Sequence, residues 1–205
     1  MPGLPGDSKG TVVAFSGHLP DAPNRDSPRF PAGNESEVAR AIADVLAGWT
    51  IGPGDRCLCG GARGGDVLFA EACLAAGAEV ELLLALSIEE FIDRSVALPG
   101  TDWEDRFRAV ARQSIVRQLD LNGHDGETRA HPFGEFNAWL IEESLALAFP
   151  RSPRILVLWD GLPGDPGRPG TGDFAMRAIE AGAELRVIDP LDPAGQRGLP
   201  CPPPV

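Results

Sequence analysis

The stretch Arg56-Cys-Leu-Cys-Gly-Gly-Ala-Arg-Gly-Gly-Asp-Val-Leu-Phe-Ala-Glu-Ala-Cys-Leu-Ala-Ala76 decides the fold. Arg56 to Cys59 reads as a short buried strand, Gly60 to Gly65 as a glycine loop, and Asp66 to Ala76 as a helix closed by Gly77. A strand that enters a helix through glycines is half of a strand-helix-strand unit. The flanks supply the rest. Upstream, Thr11 to Ser16 is a β-branched and aromatic run ending at Gly17, and Glu35 to Gly48 places Val38, Ala41, Ile42, Val45 and Leu46 at helical spacing. Downstream, Glu79 to Ala85 is a third strand. The alternation predicts an α/β fold, a doubly wound parallel sheet of about five strands. Arg154 to Trp159 and Leu185 to Asp189 are its fourth and fifth strands, with a helix from Asp173 to Ala181 between them. Between strands three and four, Ser87 to Ser152 reads as a helical insertion with helices over Ile88 to Val96, Trp103 to Leu119 and Phe136 to Ala148. The predicted division is a Gly/Pro-rich leader over 1–10, one domain over 11–190 and a Pro-rich tail over 191–205.

Composition bounds the function. The 205 residues are 43% hydrophobic and 23% charged with a mean hydropathy of -0.08, the profile of a globular protein. No apolar run approaches the roughly 18 to 20 residues of a membrane helix, and Met1 to Gly10 lacks a basic end followed by an apolar stretch, so a cytoplasmic protein with no membrane partner is expected. Eighteen basic against thirty acidic side chains give a net charge of -12. That field repels a nucleic acid polymer but leaves room for one small anion held by backbone N–H groups. Cys57, Cys59, Cys73 and Cys201 contain no CxxC pair, and His18, His124 and His131 show no metal-binding spacing. No disulfide, metal or obligatory cofactor is therefore expected, and Cys57 and Cys59, two apart on a strand, should pack on one face as small hydrophobes.

Ligands of open parallel sheets bind beyond the carboxyl ends of the strands, so the residues just past each strand carry the functional signal. Strand one is succeeded by Ser16-Gly17-His18, with Asp21, Arg25 and Arg29 close behind in a loop that also holds Pro20, Pro23, Pro28 and Pro31. Strand two leads into Gly60, Gly61, Arg63, Gly64 and Asp66, where glycines let a backbone approach a ligand and the next helix aims free N–H groups at it. The spacing matches neither GxGxxG nor GxxxxGK[ST]. Strand four leads into Trp159, Asp160 and then Gly170-Thr171-Gly172-Asp173, a second glycine-rich helix start. Arg25 and Arg63 are candidate forks for phosphate or carboxylate. Asp160, Asp173 and Glu71 are the carboxylates placed to hold ribose hydroxyls or, in an enzyme, to support cleavage of a glycosidic bond. Trp159 offers a surface on which a base stacks and equally a core residue, while Trp103 and Phe107, four apart, belong to a helix core.

Three features together, Gly60-Gly-Ala-Arg-Gly-Gly-Asp-Val-Leu-Phe-Ala-Glu71, Phe133-Gly-Glu-Phe-Asn-Ala-Trp139, and Trp159-Asp-Gly161 followed by Gly170-Thr-Gly-Asp173, resemble a bacterial branch of the SLOG superfamily. This superfamily includes the Lonely Guy nucleotide phosphoribohydrolases, DNA-processing protein A, and nucleotide-sensing domains of signalling and defence systems. The resemblance implies a Rossmann-like sheet and a nucleotide or NAD-derived ligand in the glycine-lined cleft, with Asn137 among the ligand residues, and either a homodimer or a partner effector protein. Phosphoribohydrolases of the superfamily carry PGGxGTxxE, whereas this chain reads Arg168-Pro-Gly170-Thr-Gly-Asp-Phe174, with Phe174 where the glutamate stands. Asp173, one residue early, points about 100° away on a helix. The expectation is thus a ligand-binding domain, with an N-glycosidase acting on nucleoside monophosphates as the alternative.

Overall fold

A computed structural model of the chain describes residues 10–22, 25–118, 132–162 and 170–194. Most of the predicted leader and tail lie outside the described residues. The elements, in order, are β1 (Val12–Gly17), a short 3-10 turn (Ala32–Asn34), α1 (Glu35–Gly48), β2 (Arg56–Cys59), α2 (Gly65–Ala75), β3 (Glu79–Leu84), α3 (Ile88–Phe91) running into a π-helical turn (Ile92–Val96), α4 (Trp103–Ala111), β4 (Ile115–Gln118), α5 (Pro132–Ala148), β5 (Arg154–Leu158), α6 (Thr171–Glu180) and β6 (Glu184–Ile188). All strands pair in parallel in the order β4-β3-β2-β1-β5-β6. The chain winds outward from β1 to β4, then returns to the other side of β1 for β5 and β6. The winding reverses between β1 and β5, and that is where the loops leaving the two strands diverge.

Because helices cover both faces, the central strands are apolar on both sides. Val12, Val13, Ala14 and Phe15 of β1 are all buried, as are Ile155 to Leu158 of β5. Alternate residues feed two cores. Val13, Phe15, Cys57, Cys59, Leu82 and Leu156 pack with α1, α2 and α4, whereas Val12, Ala14, Leu58, Leu83 and Val157 pack with α5 and α6. Cys57 and Cys59 are fully buried in the first core, as the two-residue spacing predicts. Phe15 stacks on Phe69 of α2 with ring centroids 4.6 Å apart. Truncating either ring to Ala removes a fully buried aromatic, a loss of about 3 to 5 kcal/mol. Gly77, at φ +83°, ends α2 in the left-handed region, and Ala78 N–H reaches back to the Cys73 carbonyl.

The sheet has six strands where about five are expected, and the insertion is not wholly helical. The predicted helix from Trp103 to Leu119 stops at Ala111, and Ile115 to Gln118 pair instead with Glu81 to Leu84 of β3. Two β-branched residues in succession after Ser114, whose hydroxyl caps the Val110 carbonyl, favour an extended edge over another helical turn. One carboxylate lies deep in this part of the sheet. Glu81 is 2% exposed and is matched by Arg56 from β2 and Arg117 from β4.

Candidate functional site at the β1/β5 edge

The loop after β1 crosses the point where β1 and β5 part. Asp21 folds it, its carboxylate accepting the N–H groups of Arg29 at 2.9 Å and Phe30 at 3.0 Å, and Phe30 is fully buried beneath. So held, Arg29 reaches Asp160 just beyond β5 and grips it with two bonds, Nε to Oδ2 at 2.6 Å and Nη2 to Oδ1 at 2.9 Å. Its Nη2 also donates to the Leu162 carbonyl at 3.2 Å. His18 approaches from the other side, Nε2 standing 3.1 Å from Asp160 Oδ1. The Asp160 side chain is 1% exposed. Burial alone would raise its pKa, yet the Arg29 fork, the Leu162 N–H and His18 outweigh burial and hold the carboxyl at about 2. Burial lowers the pKa of His18, against the opposing pull of Asp160. Both the Asp160 carboxylate, at 3.1 Å, and the Asp160 backbone N–H, at 3.4 Å, meet His18 Nε2, so Asp160 holds the ring through this nitrogen and leaves Nδ1 for another partner.

The two glycine-rich helix starts differ. At α2 the chain itself fills the space. Gly60, Gly61, Gly64 and Gly65 are all buried. A Cβ on Gly64, at φ +83°, would stand 2.5 Å from Pro20 Cδ and 3.0 Å from the His18 carbonyl. On Gly61 it would meet Phe107 at 3.0 Å, and on Gly60 the Asp66 carboxylate at 2.9 Å and Phe136 at 3.0 Å. The Gly65 N–H is satisfied by His18 O at 3.2 Å. Asp66 does not cap its helix outward; it is buried, its carboxylate accepting N–H groups from Gly17 at 3.1 Å and Ala62 at 3.3 Å. Burial pushes its pKa up to about 7 although loop amides pull it down. Arg63 turns aside toward the π-helical turn, its N–H bonded to Ser95 O at 3.0 Å and its Nη1 3.4 Å from Ala97 O.

At α6 the turn is less crowded by the described residues. Gly170 is exposed, with no described atom within 4 Å of a Cβ placed on it, and a Cβ on Gly172 would meet the Trp159 ring at 3.4 Å. Buried Asn137 of α5 braces this start, donating to Gly170 O at 3.2 Å and Asp173 Oδ2 at 2.8 Å. Thr171 is buried, and Trp159 is 7% exposed with its Nε1 bonded to Leu162 O, so Trp159 is a core residue that supports the turn rather than an open stacking surface. Ser16, half-buried, stands one residue before the end of β1, beside Val157 of β5.

The predicted residues therefore separate into groups. Ser16, Gly17, His18, Asp21, Trp159 and Asp160 gather at the β1/β5 edge, with Asn137, Gly170, Thr171, Gly172 and Asp173 at the start of α6. Arg25 stands at the rim, 46% exposed, near Asp21. Glu71 is placed elsewhere, its carboxylate gripped by Arg106 of α4 at 2.9 and 2.7 Å, with Glu35 of α1 on the same guanidinium. Gly60, Gly61 and Gly64 stand against Phe136, Phe107 and Pro20 in the packing around α2, and Arg63 bonds to the π-helical turn. Arg29 stands with Arg25 past strand one in the sequence, but the sequence gives it no role. Nothing in its spacing separates it from Arg25, and its partner lies 131 residues away.

Among the described residues no three His, Cys, Asp or Glu side chains stand together as a metal site, and no helix is long and apolar enough to cross a membrane. Strand order, parallel pairing and helices on both faces of the sheet define a Rossmann-like α/β domain. No family model and no curated protein matches the sequence. Solved structures similar to it in part include the two that follow. DNA processing protein A from Streptococcus pneumoniae is 14% identical at a TM-score of 0.42, with 86% of this chain and 58% of that one covered. Moco carrier protein from Chlamydomonas reinhardtii is 12% identical at a TM-score of 0.42, with 87% and 75% covered. The chain thus spans less than two thirds of the length of the first.

Proposed function

We propose that this chain binds a small nucleotide-type or NAD-derived anion at the carboxyl edge of β1 and β5, on the α6 side. The observation that carries the reading is the reversal of strand order between these strands, with the α6 start less crowded by the described residues and braced there by Asn137. The first N–H groups of α6 supply a positive helix end for a phosphate. Ser16 and His18 Nδ1 supply polar contacts for a sugar or base, and Arg25 an exposed cation at the rim. Neither a metal nor a second cofactor is required. The resemblance to nucleotide-sensing domains extends the proposal to a signalling or defence role, exercised through a homodimer or an effector protein rather than a nucleic acid polymer.

Binding is favoured over glycoside cleavage by the state of the carboxylates. Asp160 is bonded by Arg29 and His18, Glu71 by Arg106, and Asp173 Oδ2 by Arg177 at 2.9 Å and by Asn137. A general acid at neutral pH needs a raised pKa and access to the substrate: Asp160 is held at about 2, and Asp66, pushed up to about 7, is buried behind the Gly17 and Ala62 N–H groups. The test is calorimetric titration with AMP, GMP, CMP, UMP and NAD, alongside chromatography of the incubated mixtures. Saturable heat with no free base is expected. Free base or nicotinamide released over many turnovers would replace the binding reading with the N-glycosidase one, and no heat with any ligand would remove both.

A further inference from the structure

The opposite flank of the sheet carries a second surface, unrelated to the ligand reading. Among the described residues β4 is the terminal strand of the sheet and pairs with β3 on one side only, so alternate N–H and C=O groups of Ile115 to Gln118 face outward. Two side chains of this edge are apolar and exposed, Ile115 at 48% and Val116 at 39%. Register assigns them to opposite faces. Val116 pairs with Leu82 on the α4 side, and Ile115 pairs with Glu81 on the α5 side. Beside Val116 lies a shallow cavity of about 240 Å³, wide open to solvent and lined by Ile88, Phe107, Ala111, Arg108 and Arg112.

We propose that this edge receives an extended segment of a partner protein, added as a seventh strand, with an apolar side chain in the cavity and a carboxylate two positions further on. Strand addition satisfies the outward backbone groups, and the period of two sends both recognition side chains to the α4 face. The charge requirement comes from the cavity rim. Arg108 and Arg112 are four apart on α4, like charges that repel across one helical turn. Arg108 is compensated by Glu104 and Glu89, but exposed Arg112 has no ion pair among the described residues. A carboxylate from the incoming strand supplies that pair. The residue between, directed to the α5 face, meets Ile115 and is apolar.

A second copy of the chain fits this edge poorly. A two-fold axis that joined β4 to its equivalent would keep α4 on the same face in both copies. Arg108 and Arg112 of each would then converge, between chains that each carry a net charge of -12.

The probe is a fluorescein-labelled peptide Thr-Val-Thr-Val-Val-Glu-Thr, compared with its Glu→Lys counterpart and with one whose central Val is Pro, titrated with the full chain and read by fluorescence anisotropy. The Glu peptide should bind about tenfold more tightly than the Lys peptide, attraction replacing repulsion at one site. The Pro peptide should not bind, since it lacks a ladder N–H and cannot extend. Arg112→Glu should reverse the preference between Glu and Lys, and this exposed residue can be exchanged without touching the core. Val116→Asp should abolish binding of both, with an unchanged circular dichroism spectrum as the control. Absence of saturable binding, or equal affinity for the Glu and Lys peptides, overturns the proposal. So does sedimentation of the full chain as a dimer that Val116→Asp or Arg112→Glu dissociates, which would make a second copy the occupant.

Discussion

The starts of α2 and α6 look alike in sequence, each a glycine-rich turn between a parallel strand and a helix, yet they do different work. At α2 the glycines let the chain pack on itself. Gly64 lies under Pro20, and Gly65 and Gly17 meet back to back with a virtual Cβ to Cα approach of 3.0 Å. At α6, among the described residues, Gly170 meets no neighbour and Gly172 lies against the Trp159 ring at a braced helix end. Bare backbone thus has two physical meanings, close self-packing and ligand access, and only the identity of what approaches it separates them.

The largest effect should come from forcing a side chain into the closed turn. Gly64 holds φ +83° and ψ -125°, a region closed to other residues, and a Cβ collides with Pro20. Gly64→Val should cost about 3 kcal/mol or more in urea unfolding, strain and overpacking combined. Gly170→Ala, at φ -146° with no described atom close to the added Cβ, should stay within about 0.5 kcal/mol. Equal costs at the two positions would erase the distinction between the turns.

Next in size is the clasp that closes the loop over the edge. Asp160→Asn removes the anionic partner of Arg29 and should cost about 2 to 3 kcal/mol, somewhat under the loss for a fully buried pair because Arg29 is 20% exposed. The pH dependence is set by the direction of the shift. The folded pKa of Asp160, about 2, lies below its ordinary 3.8, so the folded state holds fewer protons there. Its stabilisation is complete above pH 3.8 and is lost as pH falls toward 2. Melting temperatures across that window should fall less steeply in Asp160→Asn than in the native chain.

Asp66 has the opposite sign. Its folded pKa, about 7, exceeds the ordinary 3.8, so the folded state keeps a proton that the unfolded chain releases. The contribution of this group is greatest below pH 3.8 and declines as pH rises toward 7. A carbon-detected NMR titration should place the Asp66 carboxyl midpoint near 7, and a midpoint near 4 would mean that the loop amides outweigh burial. The smallest effect belongs to Glu71. Glu71→Gln weakens a half-exposed ion pair with Arg106 and should cost at most about 1 kcal/mol, leaving nucleotide affinity unchanged.

Much of the fold is legible in the chain because parallel strands buried on both faces leave continuous apolar runs, as in Val12 to Phe15 and Ile155 to Leu158. β4 is hidden for the same reason in reverse. It is a four-residue edge of two apolar and two polar residues, directly after a helix of good periodicity. At the site, the positions just past each strand are legible from the rule that ligands sit at carboxyl ends. The partnerships are not. Arg25 and Arg29 occupy the same loop, and which of them meets Asp160 depends on how Asp21 folds that loop. Glu71 reads as a pocket carboxylate until the insertion places Arg106 against it.

The central claim is that the ligand sits on the α6 side of the β1/β5 edge and not in the glycine loop of α2. Amide chemical-shift mapping of the isotope-labelled chain during titration with AMP tests it most directly. The account predicts saturable shifts concentrated at Ser16, His18, Asn137 and Gly170 to Asp173, with Gly61 to Arg63 undisturbed. Shifts centred on Gly60 to Gly64 with a silent α6 start would contradict it.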